Sequence, residues 1–328
     1  MAIDLLALQP HKVSRDLSGY IVYIYGGPKV GKTTLASQFP DPVLLAFEVG
    51  YNAIPGIVPQ DVTSWSEMRA VLRDLKKPAV KERFKTVIID TIDIAGSLCE
   101  KYICAQNSVE KIAEVPYGGG YSQMKREFEE TCRAITQLGY ALVFISHDKE
   151  RTVKINGEEI LQIGPSCQSS FNDIAKNAAD IYGYAQKYKG EDGTPKVRLV
   201  LRSQDGTIDT GCRFKYIPPV IDFTYSALVD AVNEAIDKEA KMNDNKFVTD
   251  ERNVAVKAEV LNYDSLIANF NEIVSTLMQK DKEYYGPRIT AIVNKILGKG
   301  KKVSDSTPEQ VELIKTIVDE IKDEYLSN

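Results

Sequence analysis

Tyr25-Gly26-Gly27-Pro28-Lys29-Val30-Gly31-Lys32-Thr33-Thr34 is the stretch on which the reading of this chain turns. Residues 26–33 satisfy the pattern G-x-x-x-x-G-K-[ST], with the apolar run Tyr20-Ile21-Val22-Tyr23-Ile24-Tyr25 before it and a helix-forming run after it. Glycines here let the backbone wrap a triphosphate, so that successive N–H groups and the start of the following helix point at its oxygens. Gly26, Gly27, Pro28, Lys29, Val30, Gly31, Lys32, Thr33 and Thr34 are therefore the expected nucleotide-binding residues. Lys32 reaches the β and γ phosphates, and Thr33 offers a hydroxyl to Mg²⁺. Leu35 to Phe39 carries the predicted helix on until Pro40 stops it.

Outside this loop the composition sets limits. A chain of 328 residues holds one sizeable α/β domain plus a smaller unit, with enough core to need no staples. Hydrophobic residues make up 43% and charged residues 27%, the balance of a soluble globular protein. No apolar run is long enough to span a membrane, and Met1-Ala2-Ile3-Asp4 lacks the basic region of a leader, so a cytoplasmic protein is expected. Cys99, Cys104, Cys132, Cys167 and Cys212 are scattered and odd in number, which reads as idle thiols rather than a disulfide framework. With only His11 and His147 as histidines, a zinc site is not expected. A net charge of −5 argues against a surface that coats nucleic acid everywhere, while leaving room for a local basic groove.

Strand and helix patterns alternate beyond the loop. The continuous apolar run at 43–47 predicts a parallel strand buried on both faces, and 86–90 and 141–146 read as further strands. Helices are predicted from Ser64, with a capping box closed by Glu67, and near 92–106 and 122–138. Residues 152–155 and 159–163 around Asn156-Gly157 read as a β-hairpin, and strands near 180–186 and 196–202 complete the sheet. Short connections and right-handed crossovers then give an α/β fold, a mainly parallel sheet between helices with its ligand at the carboxyl ends of the strands.

Those carboxyl ends carry a second set of chemical residues. Asp90, closing an apolar strand, is placed to aim a carboxylate at the Mg²⁺ shell. Thr91 follows it, so the adjacent Asp-Glu pair that supplies a base in many ATPases is absent. Glu48, one residue past the strand at 43–47, is the candidate to polarise the attacking water. His147, with Asp148, ends another strand where a polar side chain can sense the γ-phosphate and move a neighbouring loop. Lys32, Glu48, Asp90 and His147 form the expected catalytic set, with Thr33 and Asp90 at the metal.

The phosphate loop, Glu48, Ile88-Ile89-Asp90-Thr91 and Ile145-Ser146-His147 together resemble the RecA-like recombinase fold. Within it the chain looks most like the compact bacteriophage RecA-like single-strand annealing ATPases, over roughly residues 10–220. His147 stands where the recombinase proper commonly has glutamine. The resemblance implies ATP- and Mg²⁺-dependent binding and pairing of single-stranded DNA, in the host cytoplasm if phage-encoded, by a homo-oligomeric ring or filament. In such proteins the segments after the Asp90 and His147 strands face the DNA. Here the first holds Tyr117, Gly118, Gly119, Gly120, Tyr121, Lys125 and Arg126, where glycines permit close backbone approach and tyrosines can stack on bases. The second holds Lys149, Arg151 and Lys154. RecA-like assemblies also place nucleotides between protomers, which makes Arg202, Arg213 and Lys215, the last two on a predicted strand, candidates to reach a neighbour's γ-phosphate.

Composition changes after Pro218-Pro219. A helix with Leu228, Val232 and Ile236 on one face closes a core of residues 1–240, followed by a polar linker at 241–262 and a helical module at 263–328. Gly298-Lys299-Gly300-Lys301-Lys302 interrupts that module before a last helix starts at Thr307-Pro308. The module is a place for DNA, a single-strand-binding protein or another replication partner to dock. A helicase loader or nucleotide-driven protein scaffold is the alternative from another class, and a metabolite kinase a third.

Overall fold

The computed structural model of the protein describes residues 6, 8–155, 157–244, 247–252 and 261–326. Residues 1–4, Asn156 of the predicted hairpin turn, and 245–246 and 253–260 of the predicted linker lie outside the described residues. The chain divides into two compact units, residues 10–257 and residues 1–9 with 258–328.

In the larger unit, β1 (Val13–Ser14) and β2 (Ile21–Gly26) lead through the phosphate loop to α1 (Lys32–Ala36) and β3 (Pro42–Ala46). Then come β4 (Pro59–Asp61), α2 (Trp65–Leu75), α3 (Pro78–Arg83), β5 (Thr86–Asp90), α4 (Ile92–Gln106), α5 (Gly119–Gln137) and β6 (Ala141–Ser146). A hairpin of β7 (Asp148–Ile155) and β8 (Glu158–Pro165) precedes α6 (Ser169–Ala178), β9 (Ile181–Lys189), β10 (Pro195–Val200), β11 (Gly211–Cys212), β12 (Val220–Asp222) and α7 (Tyr225–Ala240). The sheet runs β12-β10-β9-β2-β6-β5-β3-β4, with β11 also on β9. From β9 to β4 neighbours are parallel, whereas β10, β11 and β12 join antiparallel at one side.

Period-two alternation along β2 divides the interior into two layers. Tyr23 and Tyr25 enter a core with Trp65, Phe128 and Phe171 from α2, α5 and α6. Val22 and Ile24 enter the opposite core with Leu35, Leu228 and Val232 from α1 and α7. A strand with no solvent-facing side needs apolar residues throughout, which is why its sequence reads as a continuous run. The Tyr25 hydroxyl donates to the carbonyl of Asp209 at 2.7 Å, tying the phosphate-loop strand to the 205–209 loop behind the hairpin. Cys99, Cys104, Cys132 and Cys167 are buried and Cys212 half-buried, all as thiols. Burial pushes Cys212 up to about 11 and Cys167 to about 12.

Several local expectations shift. Ser64 caps α2 by accepting from the Glu67 N–H at 3.2 Å, and the Glu67 carboxylate reaches back chiefly to the N–H of Thr63 at 2.7 Å, with a weaker contact to that of Ser64. Gly119 and Gly120 are helical residues at the start of α5 rather than an open loop, and a Cβ at Gly120 would meet the Ile112 carbonyl at 2.6 Å. Close packing therefore explains that glycine. β11 ends at Cys212, so Arg213 and Lys215 lie in the turn beyond it and not on a strand. The described part of the segment expected as a linker is pinned down. A strand β13 (Val248–Thr249) pairs with β1, and Arg252 donates to the carbonyls of Ser18, Lys85 and Gly139. Burial lowers the pKa of that guanidinium, with the charge of Asp16 pulling the other way.

The smaller unit contains α8 (Tyr263–Lys280), α9 (Lys282–Leu297) and α10 (Val311–Tyr325). Their apolar stripes meet in a core that includes Leu277, Ile292, Ile314, Ile317 and Ile321. Gly298, at φ 104°, ends α9, and a 3-10 turn over Pro308–Gln310 delays the start of α10 to Val311. Among the described residues no helix is long and apolar enough to cross a membrane.

Candidate nucleotide site

β2 delivers the phosphate loop at the carboxyl edge of the sheet, between β9 and β6. At Gly26 a Cβ would lie 2.7 Å from the carbonyl oxygen of Ala185, and Gly31 caps α1 with φ 95°, a left-handed conformation that favours glycine. The Lys32 amine donates to the carbonyls of Gly26 at 2.8 Å and Gly27 at 2.9 Å, holding the loop's curve from inside. Burial lowers its pKa, and Asp90, Asp148, Glu48 and Asp93 oppose that shift. A cation so placed, among carboxylates and backbone N–H groups, suits phosphate oxygens. α1 stops at Ala36, shorter than the sequence predicts, and Gln38 and Phe39 close it with tighter turns.

Asp90, the last residue of β5, accepts from the Thr33 hydroxyl at 2.6 Å. Burial raises its pKa, with Thr33 pulling the other way. A buried carboxylate beside a hydroxyl, short of a full counter-charge, fits Mg²⁺, which takes one or two protein oxygens and completes its shell with phosphates and water. The sheet order β3-β5-β6 sets the next contact. The Phe47 N–H donates to the Asp90 carbonyl at 2.8 Å and so steers Glu48 over the end of β5. There Glu48 Oε1 lies 3.4 Å from His147 Nε2, brought from the end of β6. Lys32, Thr33, Glu48, Asp90 and His147 are thus gathered at one edge.

Because the Asp90 pKa is raised in the fold, the unliganded protein loses stability as pH rises through that pKa and regains it as pH falls. Asp90→Asn removes that cost. We expect its unliganded melting temperature to be no lower than wild type, while the Mg²⁺ concentration needed for nucleotide binding rises about tenfold or more. A lowered melting temperature with unchanged Mg²⁺ dependence contradicts this.

Two further acidic residues stand near the loop, Asp148 from the strand end beside His147 and Asp93, which carries little sequence signal. The carboxylate of Asp148 lies 3.8 Å from the position a Gly27 Cβ would take, and accepts from the Tyr184 hydroxyl at 3.1 Å. Asp93, in the first turn of α4, accepts from the Ser166 hydroxyl, while the Ser166 N–H donates to the His147 carbonyl. Ser166 follows β8, so the nucleotide edge touches both ends of the β7–β8 hairpin. Only the return of the chain from β8 reveals this.

The remaining sequence candidates separate. Tyr117 is fully exposed and Tyr121 partly so, at the turn into α5, with Gly118 in a left-handed conformation between them. Lys125 and Arg126 follow on that helix, and Arg126 sits 3.9 Å from Glu130. Lys149 and Lys154 are exposed on β7. Arg151 instead turns inward to Asp209 at 2.7 Å, a carboxylate it shares with Lys176. Arg202 donates to the Phe214 carbonyl at 2.8 Å, Arg213 to the Asn177 carbonyl at 2.8 Å, and the Lys215 amine stands 5.1 Å from the Tyr216 ring centre. Because β11 pairs with Ile181 and Tyr182 at the start of β9, Arg213 lies at the amino edge of the sheet, opposite the phosphate loop.

The loop, the strand-end aspartate joined to the loop threonine, and the sheet order define a P-loop NTPase. A family described as an AAA domain matches residues 18–214, more than half of the chain, and the chain belongs to that family. The chain is also similar to the SPbeta prophage-derived uncharacterized protein YorG of Bacillus subtilis (strain 168), with 29% identity over 336 aligned positions that cover 98% of this chain and 99% of the relative.

Proposed function

We propose that the protein is a Mg²⁺-dependent ATPase of phage recombination that binds single-stranded DNA and promotes annealing or strand pairing, working as a homo-oligomer. One observation carries the reading. Glu48 meets His147 at 3.4 Å beside the phosphate loop, and His147 immediately precedes the hairpin that exposes Lys149 and Lys154. Glu48 acts electrostatically on Lys32, so a γ-phosphate arriving at Lys32 comes within reach of the charge of this pair. Its charge therefore bears on the root of the hairpin, where Lys149 is exposed and Lys154 lies 3.7 Å from Glu159. Glu48 accepts a proton from the attacking water, and the Lys32 amine and loop N–H groups stabilise charge on the phosphates. Thr33 and Asp90 would hold Mg²⁺, which would supply counter-charge to the triphosphate. Tyr117 and Tyr121 offer faces on which bases can stack. The prophage origin of the relative supports a phage setting, and the helical unit at 263–328 is the place for a replication partner to dock.

ATP turnover with and without single-stranded DNA tests the reading, and stimulation is expected. Replacing Lys149 and Lys154 with alanine, while keeping Arg151 because it neutralises Asp209, should preserve basal turnover. Oligonucleotide affinity should fall and the slope of log affinity against log salt should flatten by about one to two. Wild-type affinity and slope in that variant remove the hairpin as the groove. No stimulation and no nucleotide-dependent retention of a labelled oligonucleotide favour a protein scaffold.

A further inference from the structure

We infer that the base of the bound nucleotide stacks on Phe223, in the cleft between α1 and the strands β10 and β12. The inference rests on residues 26–34 being the nucleotide site and adds the end of the ligand that the phosphate loop does not touch. The phosphate loop has two flanks. Toward β6, β5 and β3 stand His147, Asp90 and Glu48, the groups that suit the reacting end of a triphosphate. Toward β9, β10 and β12 the surface changes character. A cleft of about 350 Å³ opens there, lined by Val30, Gly31, Thr34, Gln38, Val197 and Phe223 among others, none of them charged.

Its position follows from the sheet. Val197 lies opposite Lys187 in the β9–β10 pairing, so both side chains share a face. The Lys187 amine reaches the Pro28 carbonyl at 3.4 Å, which sets that face directly beside the loop. β12 pairs with β10, and Phe223 follows β12 before Thr224 caps α7. An edge atom of the Phe223 ring lies 3.7 Å from where a Gly31 Cβ would be. Phe223 is half-buried and lines this cleft. With the γ-phosphate directed to Lys32 and Glu48, the rest of the ligand leaves past Thr34 on the exposed side of α1. A flat heteroaromatic ring with polar edges matches what it meets there. Phe223 and Val197 offer apolar contact, and the Gln38 carboxamide and Thr34 hydroxyl supply donors and acceptors at the rim.

Direct binding of two probes, ATP and inorganic tripolyphosphate, tests the assignment. Phe223→Leu keeps most of the apolar volume and removes the π face. It should weaken ATP by about tenfold or more, the scale of losing one base–aromatic stack, and leave tripolyphosphate within about twofold. Phe223→Trp should retain ATP affinity, and its indole emission should change with ATP but not with tripolyphosphate. Equal weakening of both probes by Phe223→Leu, or unchanged ATP affinity, overturns the assignment. Failure of the phosphate-loop reading looks different, since the wild-type protein then binds neither probe.

Discussion

Lys32→Ala loses nucleotide binding by about two to three orders of magnitude, the scale for removing one partner of a desolvated charge contact. Lys32 is 7% exposed and, among the described residues, its amine donates to the loop's own carbonyls, so in the free protein it is a charge kept ready rather than one already satisfied by a carboxylate bond. Burial already penalises it, and Asp90, Asp148, Glu48 and Asp93 lean on it from around the loop. Those two effects oppose one another in the fold. The melting temperature of the variant should therefore stay within about 5 °C of wild type. Calorimetric titration with ATP and Mg²⁺, beside a thermal melt, reads both quantities. Wild-type affinity in a folded Lys32→Ala protein removes the basis of the site.

Glu48→Gln separates binding from turnover. Its side chain meets His147 at 3.4 Å and is assigned to the water rather than to the phosphates, so ATP affinity should change by less than about threefold. Hydrolysis should fall at least about a hundredfold, as expected when a general base is lost. The carboxamide keeps the shape and can still contact His147, which leaves proton acceptance as the property removed. A single-turnover measurement at saturating ATP gives the chemical step directly. Near-normal hydrolysis transfers the role to another carboxylate, with Asp148 beside Gly27 the next to test.

Glu48 shows how far local pattern reaches. Its place one residue past a buried strand marked it as a candidate, yet only the pairing of β3 and β6 on either side of β5 brings it to His147. Asp148 was visible as a strand-end acid, while its approach to Gly27 depends on the neighbouring strand that carries Tyr184. Arg151 shows the converse. On a hairpin with Lys149 and Lys154 it reads as one of three equal cations, but Asp209, 58 positions away, claims it. A cation's availability depends on its partner, and hydrophobic periodicity says nothing of partners so distant.

The chain's own pattern determined whatever is contiguous. The loop at 26–33 needs glycines, a lysine and a threonine in fixed order because one backbone turn must meet one phosphate chain. The buried strands need unbroken apolar runs because both faces of the sheet are covered. The three apolar stripes after residue 262 likewise announce helices that must pack on one another. Tertiary structure decided what depends on sheet order and chain return. It turned Arg202 and Arg213 onto their own backbone, set Arg252 among three carbonyls, and brought Phe223 from 192 positions further along the chain to Gly31. Such contacts cost large loop-closure entropy and are offset by the burial of the whole fold rather than by local preference. That is why no window of sequence contains them.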